Sequence, residues 1–377
     1  MKLQRFELGG LNGANPLGFL AALGTLASLH GSQGNSVRLA WSRTNQWRAV
    51  LEAPYPNEEA VADAVAHALR GRTVSEEAQA SLEAAEKAME KRKRELGKIE
   101  KEIKERGLRG HERREFMERE RLPVKEDYEA KRLVWLQCLK QAVPRLELAL
   151  GKRLDCTSDE YRTLAEEWLR SPDPREREAL DLLAAFGSDA CVDDSSGAIR
   201  PTPFCFTTGS GHQFFLDTVR KLIAEVQPAR IEQVLFCHWD YADEGLSLRW
   251  DPIEDRRYAL MDRDPTASDN KVRTMWMANL LAYRALALFS AAPAAKGLRV
   301  AGWDDEARFF TWPLWRDPIP LDVVRSLLLL RELVADELQR PWGLRALGIE
   351  AVYRAERIAV GVGGNRKLNF TPARRIA

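Results

Sequence analysis

Two hydrophobic periodicities open the chain. Lys2 to Leu8 alternates polar and apolar residues, which predicts a short strand, and Leu17 to Leu29 predicts an apolar helix. Val37 to Trp41 and Trp47 to Leu51 read as further strands, and the alanine-rich stretch from Glu58 to Leu69 reads as a helix. From Ser75 to about Lys140 the pattern changes to Glu, Lys and Arg. Leu82, Met89, Leu96 and Ile103 recur there at heptad spacing, with Ala85 and Ile99 on neighbouring positions, which is the seam of a coiled coil. Gly107-Leu108-Arg109-Gly110 breaks that helix. A returning arm from His111, interrupted near Pro123 and resumed through Tyr128, Leu133, Leu136 and Leu139, predicts an antiparallel helical hairpin.

Beyond the hairpin, 141–200 predicts helices with turns at Pro144 and at Ser171-Pro172-Asp173-Pro174. Ile231 to Tyr241 and Leu246 to Trp250, separated by Ala242-Asp243-Glu244-Gly245, read as a β-hairpin. Thr274 to Ser290 predicts a buried helix and Leu321 to Gln339 another. Val352 to Val362 and Lys367 to Thr371 predict a second β-hairpin around Gly363-Gly364-Asn365. The fold class is therefore α+β: a mixed N-terminal α/β region over 1–74, a charged helical hairpin inserted at 75–140, a central α+β region over 141–270 with a glycine-rich loop, and a mainly helical C-terminal region over 271–377 with a terminal β-hairpin.

Composition narrows the partners. The 377 residues suit two or three domains, and a hydrophobic share of 45% suffices for a sizeable core. Lys plus Arg number 57 against 56 Asp plus Glu, so a globally basic nucleic-acid binder is excluded and any such contact must be local. Cys138, Cys156, Cys191, Cys205 and Cys237 are widely spaced, which fits reduced thiols and neither a disulfide framework nor a zinc ribbon. The first residues lack the apolar stretch of a leader, and Leu17 to Leu29 is too short to span a bilayer. A cytoplasmic chain with no membrane partner is expected.

Two polar, glycine-rich loops run straight into apolar helices: Gly9-Gly10-Leu11-Asn12-Gly13-Ala14-Asn15-Pro16 before Leu17, and Thr207-Thr208-Gly209-Ser210-Gly211-His212-Gln213 before Phe214. Free N–H groups at a helix entry attract anions, and glycine allows close approach. Neither loop matches a nucleotide-binding fingerprint. They read either as plain helix starts, with Asn15 as N-cap and Pro16 at the first helical position, or as contacts to a phosphate backbone. On the second reading Asn12, Asn15, Ser210, His212 and Gln213 are candidate nucleic-acid contacts. Arg256, Arg257, Lys271, Arg273, Asn365, Arg366 and Lys367, at loops and element ends, are candidate backbone-positioning residues. The run Lys91-Arg92-Lys93-Arg94 is interleaved with glutamates and reads as a solvated, salt-bridged helix face.

Catalytic chemistry is sparse. His238, Asp240, Asp243, Asp251, Asp255, Asp262 and Asp264 form the one acidic group with hard oxygen ligands for magnesium, but Asp251-Pro252 and Asp264-Pro265 are also ordinary turn starts. Cys237 beside His238 fails as a nucleophile pair if both lie on one strand, because neighbours point to opposite faces. Trp312 and Trp315 within Phe309 to Trp315 read as core or interface. No catalytic residue, metal or cofactor is assigned.

Four blocks, read in order, resemble the large-subunit family of type I-G (formerly I-U) CRISPR effector complexes. They are Gly13-Ala14-Asn15-Pro16-Leu17-Gly18-Phe19-Leu20-Ala21-Ala22-Leu23-Gly24; Pro201-Thr202-Pro203-Phe204 with Thr208 to Phe214; Trp250-Asp251-Pro252 with Asp255-Arg256-Arg257-Tyr258-Ala259-Leu260; and Thr311-Trp312-Pro313-Leu314-Trp315. The hairpin at 75–140 matches no feature of that family. The resemblance implies a non-enzymatic subunit of a Cascade surveillance complex. Its partners would be crRNA, target DNA, the other Cascade subunits and a recruited helicase-nuclease, and its task would be sensing the protospacer-adjacent motif in antiviral defence. Guide pairing then reads the sequence, and the protein needs only a short duplex contact and a backbone groove. Two other readings stand beside it: a magnesium-dependent nuclease using Asp251 to Asp264, and a scaffold whose hairpin docks protein partners.

Overall fold

The alternation at the start of the chain continues through its first glycines. The computed structural model describes residues 2–154, 156–193, 197–206, 214–253, 272–295, 297–334, 341–360 and 367–377. Strand β1 spans Gln4–Asn12, so Gly9, Gly10 and Asn12 belong to a strand and not to a loop. Helix α1 (Pro16–Gln33), β2 (Arg38–Arg43), β3 (Trp47–Ala53) and α2 (Glu58–Arg70) follow. The three strands form an antiparallel sheet in the order β1-β3-β2. Phe6, Leu51 and Leu39 share one row of its inner face, and Leu8, Ala49 and Trp41 share the next.

The chain divides into two compact units, one made of Met1–Gly71 with Lys152–Ala377 and the other of Arg72–Gly151. The second unit is the helical hairpin: α3 (Glu76–Glu105), α4 (Gly110–Phe116), one π-helical turn over Met117–Arg121, and α5 (Leu122–Ala142). Pro123 sits in the first turn of α5, where its missing N–H is least costly. Met89 and Ile103 are buried, and Leu82 and Leu96 half-buried, along the heptad seam of α3. On α5 the buried residues are Trp135, Leu139 and Ala142. Leu133, expected on that seam, is 54% exposed. It lies two residues before Trp135, about 200° around the helix and so on the far side. Arg92 of the basic run pairs with Glu95 and Asp127, as expected of a salt-bridged face. Arg72 closes the base of the unit, its N–H donating to Pro144 O at 2.9 Å and its Nε to Val143 O at 2.8 Å.

The rest of the first unit contains α6 (Ser158–Arg170), α7 (Pro174–Phe186), α8 (Phe215–Ala224), α9 (Pro228–Phe236), β4 (Asp243–Glu244), β5 (Arg273–Thr274) and α10 (Trp276–Ala285). After them come β6 (Ala291–Ala294), β7 (Gly297–Val300), β8 (Phe309–Trp315), α11 (Leu321–Leu328), α12 (Arg331–Val334), α13 (Pro341–Ala346), β9 (Ile349–Val360), β10 (Lys367–Phe370) and β11 (Arg374–Arg375). The architecture is α+β. Strand β9 pairs antiparallel with β8, β10 and β11. The expected C-terminal hairpin is therefore present, while its Gly363-Gly364-Asn365 turn lies outside the described residues.

Two apolar helices, α1 and α10, cross at the centre of this unit. A Cβ on Gly24 would stand 1.7 Å from Leu281 O, so the helices meet backbone to backbone and only glycine fits. The same holds where α9 covers β1, since a Cβ on Gly10 would meet Val234 O at 2.1 Å. These glycines serve close packing. Among the described residues no helix is long and apolar enough to cross a membrane, and all five cysteines are free thiols. Burial pushes the Cys205 thiol up to about 12.

Two expected elements are corrected. No hairpin forms over Ile231 to Trp250: α9 occupies Pro228–Phe236, with Pro228 in its first turn and Ile231, Val234 and Leu235 buried at helical spacing. Asp243–Glu244 instead pairs with Arg273–Thr274. The helix expected over Leu321 to Gln339 breaks after Leu328, because Leu329 N, Leu330 N and Leu333 N bond three residues back and tighten the chain out of α geometry. Its end at 335–339 lies outside the described residues.

Candidate functional site

The entry to α1 is a closed hydrogen-bonded hub. Asn15 Oδ1 accepts from Leu17 N at 2.8 Å and Gly18 N at 3.4 Å, which caps the helix as its sequence predicts. Asn15 Nδ2 donates to Asp251 Oδ1 at 3.0 Å. Asp251 is fully buried, and its two oxygens also accept from Ile253 N at 3.0 Å and Tyr241 Oη at 2.9 Å. A carboxylate beside the positive end of α1 is electrostatically favoured. The anion that the glycine-rich entry was expected to recruit is thus already supplied by the chain itself.

Asn12 is likewise engaged, its Oδ1 accepting from Ala14 N at 2.9 Å while its backbone oxygen accepts from Asn15 N at 3.1 Å. Gly13 is packed against the Trp41 ring, and its carbonyl accepts from Trp312 Nε1 at 2.8 Å. Asn12 and Asn15 are both half-buried.

Apart from the two-residue pairing of β4 with β5, the segment after α9 is held by side chains. Tyr241, Leu246 and Arg249 have φ of 54°, 47° and 65°, which large side chains rarely adopt and which other contacts must hold. Leu248 N donates to Asn279 Oδ1 at 2.9 Å, Trp276 Nε1 to Gly245 O at 3.1 Å and Trp250 Nε1 to Phe204 O at 3.1 Å. Asp243 Oδ2 accepts from Trp276 N at 2.7 Å and so caps α10, while Arg230 pairs with Asp243 at 3.4 Å and lies 5.0 Å over the Trp276 ring. Burial raises the Asp243 carboxyl above the usual carboxylate range. Tyr241 and Asn279 hold this region but carry no motif that would single them out in the sequence.

The described members of the acidic group read as a magnesium site each have separate roles. Asp240 accepts from Gln233 Nε2 at 2.9 Å, Asp243 serves α10, and Asp251 faces Asn15 and Tyr241. Cys237 and His238 are exposed at the end of α9, and the shared strand invoked for them does not form. Asp255, Asp262 and Asp264 lie outside the described residues, and among those described no cluster of metal-ligating side chains occurs.

Of the expected basic contacts, Arg273 donates to Ala242 O at 2.8 Å and pairs with Glu244 at 2.7 Å, and Lys367 is half-buried in β10. Ser210, His212, Gln213, Arg256, Arg257, Lys271, Asn365 and Arg366 lie outside the described residues. The chain enters 254–271 from Ile253, whose N–H donates to Asp251, and 207–213 from Phe206, whose ring lies 5.3 Å from that of Phe370.

All four family-like blocks have members in one core. Phe19 stacks on Trp312 at 5.7 Å, Phe204 meets Phe310 at 4.9 Å edge to face, Trp250 is tied to Phe204, and Asp251 to Asn15. Trp312 and Trp315 are buried core residues, as expected. No model of a known protein family matches the chain, and no curated protein matches it either.

Proposed function

We propose that this chain is a non-enzymatic, nucleic-acid-contacting subunit of an RNA-guided surveillance complex of the type I-G CRISPR kind, acting in the cytoplasm with crRNA, target DNA and the other subunits. The observation that carries the reading is that the four blocks meet in one core, joined by the Asn15–Asp251, Trp250–Phe204 and Trp312–Gly13 hydrogen bonds. Blocks up to 299 residues apart, as in the Trp312–Gly13 bond, pack as one structural unit. The hub in turn fixes the chain where it enters 254–271, the segment holding Arg256, Arg257 and Lys271, while the packing of Phe206 on Phe370 holds the entry to 207–213, which carries Ser210, His212 and Gln213. Functional loops mounted on a rigid scaffold are a recurrent arrangement.

Affinity capture of the tagged chain from its native cell tests this. Recovery of a particle containing crRNA and repeated backbone subunits is the expected result. Recovery of the chain without RNA, or magnesium-dependent cleavage of DNA by the purified chain, would replace it with another reading.

A further inference from the structure

A near-neutral chain that binds nucleic acid needs a local concentration of positive charge, and the first unit contains one. A cleft of about 410 Å³ is lined by Arg5, Arg43, Arg316 and Arg375 together with Trp41, Ser42, Trp47 and Glu350. The four arginines come from four separate stretches: β1, the end of β2, the turn after β8, and β11. Backbone pairing assembles them. Leu39 and Ile319 exchange two hydrogen bonds of 3.0 Å, and Trp315 Nε1 donates to Leu39 O at 2.7 Å, which ties the segment carrying Arg316 to β2. β9 carries Glu350 and pairs with both β8 and β11.

Two of the four charges, those of Arg5 and Arg43, lack an ion-pair partner among the described residues. Glu350, the one carboxylate in the lining, pairs with Arg316 at 2.8 Å, and Arg375 donates to the backbone oxygens of Glu350 and Ala377. Arg43 lies over the Trp47 ring at 5.7 Å. Among the described residues Arg5 and Arg43 form no ion pair, although Glu52 stands opposite Arg5 in the strand register. The indole N–H groups of Trp41 and Trp47 are buried without an acceptor in the walls of the same cleft.

We infer that this cleft binds the phosphate backbone of a single nucleic-acid strand. Guanidinium forks match phosphate oxygens in two-pronged geometry, which favours arginine over lysine there. The volume is that of a pocket for one small ligand and holds a short stretch of one strand, not a duplex. The tryptophans are buried, so recognition runs through phosphates and is independent of base sequence. This inference deepens the proposed function and rests on it only for the class of ligand.

The test is binding of the purified full-length chain to labelled oligothymidylate, oligouridylate and a DNA duplex over a salt series. Replacement of Arg5, Arg43, Arg316 and Arg375 by Gln together should weaken single-strand binding roughly tenfold or more and lower the magnitude of the salt slope by about 0.7 per contacting arginine. Arg43→Gln alone, at an exposed residue outside any described ion pair, should give a partial effect in the same direction and guards against misfolding of the quadruple variant. Lys93→Gln, on the hairpin, should change nothing. The DNA and RNA arms identify which strand occupies the cleft. Unchanged affinity and slope in both cleft variants would overturn the site, as would failure of the wild-type chain to bind either strand, or tighter duplex binding through the same arginines. In each case the proposed function would still stand if the chain remains part of an RNA-containing particle.

Discussion

Asn15 and Asp251, 236 residues apart in the chain, are joined by a 3.0 Å hydrogen bond that ties the N-cap of α1 to a fully buried carboxylate. The amide caps the helix with its oxygen and holds the carboxylate with its nitrogen. The helix entry and the segment leading to 254–271 are therefore fixed by one side-chain pair. Asp251→Ala removes the acceptor of three hydrogen bonds, from Asn15, Tyr241 and Ile253, and should destabilise the protein by about 3 kcal/mol. Asn15→Ala should cost about 1–2 kcal/mol. Urea denaturation of both variants and the double variant should give a coupling energy above about 0.5 kcal/mol; additive losses would mean the pair is not coupled.

Glycines of α1 separate into two kinds. At Gly24 an added methyl group meets the Leu281 backbone, which cannot give way, so Gly24→Ala should destabilise by about 3 kcal/mol or more. At Gly31 nothing lies within 4 Å of the added Cβ, and alanine should stabilise by about 0.5–1 kcal/mol. Thermal melts of the two variants should shift in opposite directions, and a common direction would refute the close crossing.

In the hairpin, Trp135 is 5% exposed and Leu133 is 54% exposed. Trp135→Ala should cost that unit about 3–5 kcal/mol, and Leu133→Ala less than about 0.5 kcal/mol. Because Arg72 bonds to Val143 and Pro144, replacing residues 75–142 with a short Gly-Ser linker should leave the other unit with a cooperative melt. Loss of that transition would make the hairpin part of the core fold.

Burial holds the Asp243 carboxyl above its unfolded value, so the folded state takes up the proton more readily. Its ionised form costs stability above the folded pKa. That cost falls away as pH drops through the folded pKa towards the unfolded one. Asp243→Asn keeps an oxygen for Trp276 N and should flatten this component of the stability-versus-pH curve over the range just above the unfolded carboxylate value of about 4. A parent curve that falls more steeply than the variant's over that range would contradict the assignment.

Local features were legible in the sequence, and those made by tertiary contact were not. Asn15-Pro16 announces a helix start because a cap depends on adjacent residues, and the heptads of α3 announce a seam because periodicity is local. Ile231, Val234 and Leu235 sit in a short apolar run that fits either strand or helix, and the positive φ of Tyr241, Leu246 and Arg249 has no signature in non-glycine residues. Gly9 and Gly10 were visible, but the α9 backbone they admit was not. The arginine cleft left no motif, since each arginine stands alone in its own segment and only the Leu39–Ile319 and β9 pairings bring them together.

Target binding by the reconstituted complex tests the central claim most directly. With crRNA and the backbone subunits assembled, duplex target affinity should be measured in the presence and absence of this chain, on targets that carry or lack the flanking motif. The chain should tighten binding of the motif-bearing duplex by at least about tenfold, or 1.4 kcal/mol, and have a smaller effect on the duplex without it. Equal affinities with and without the chain, on both targets, would contradict a role in target recognition.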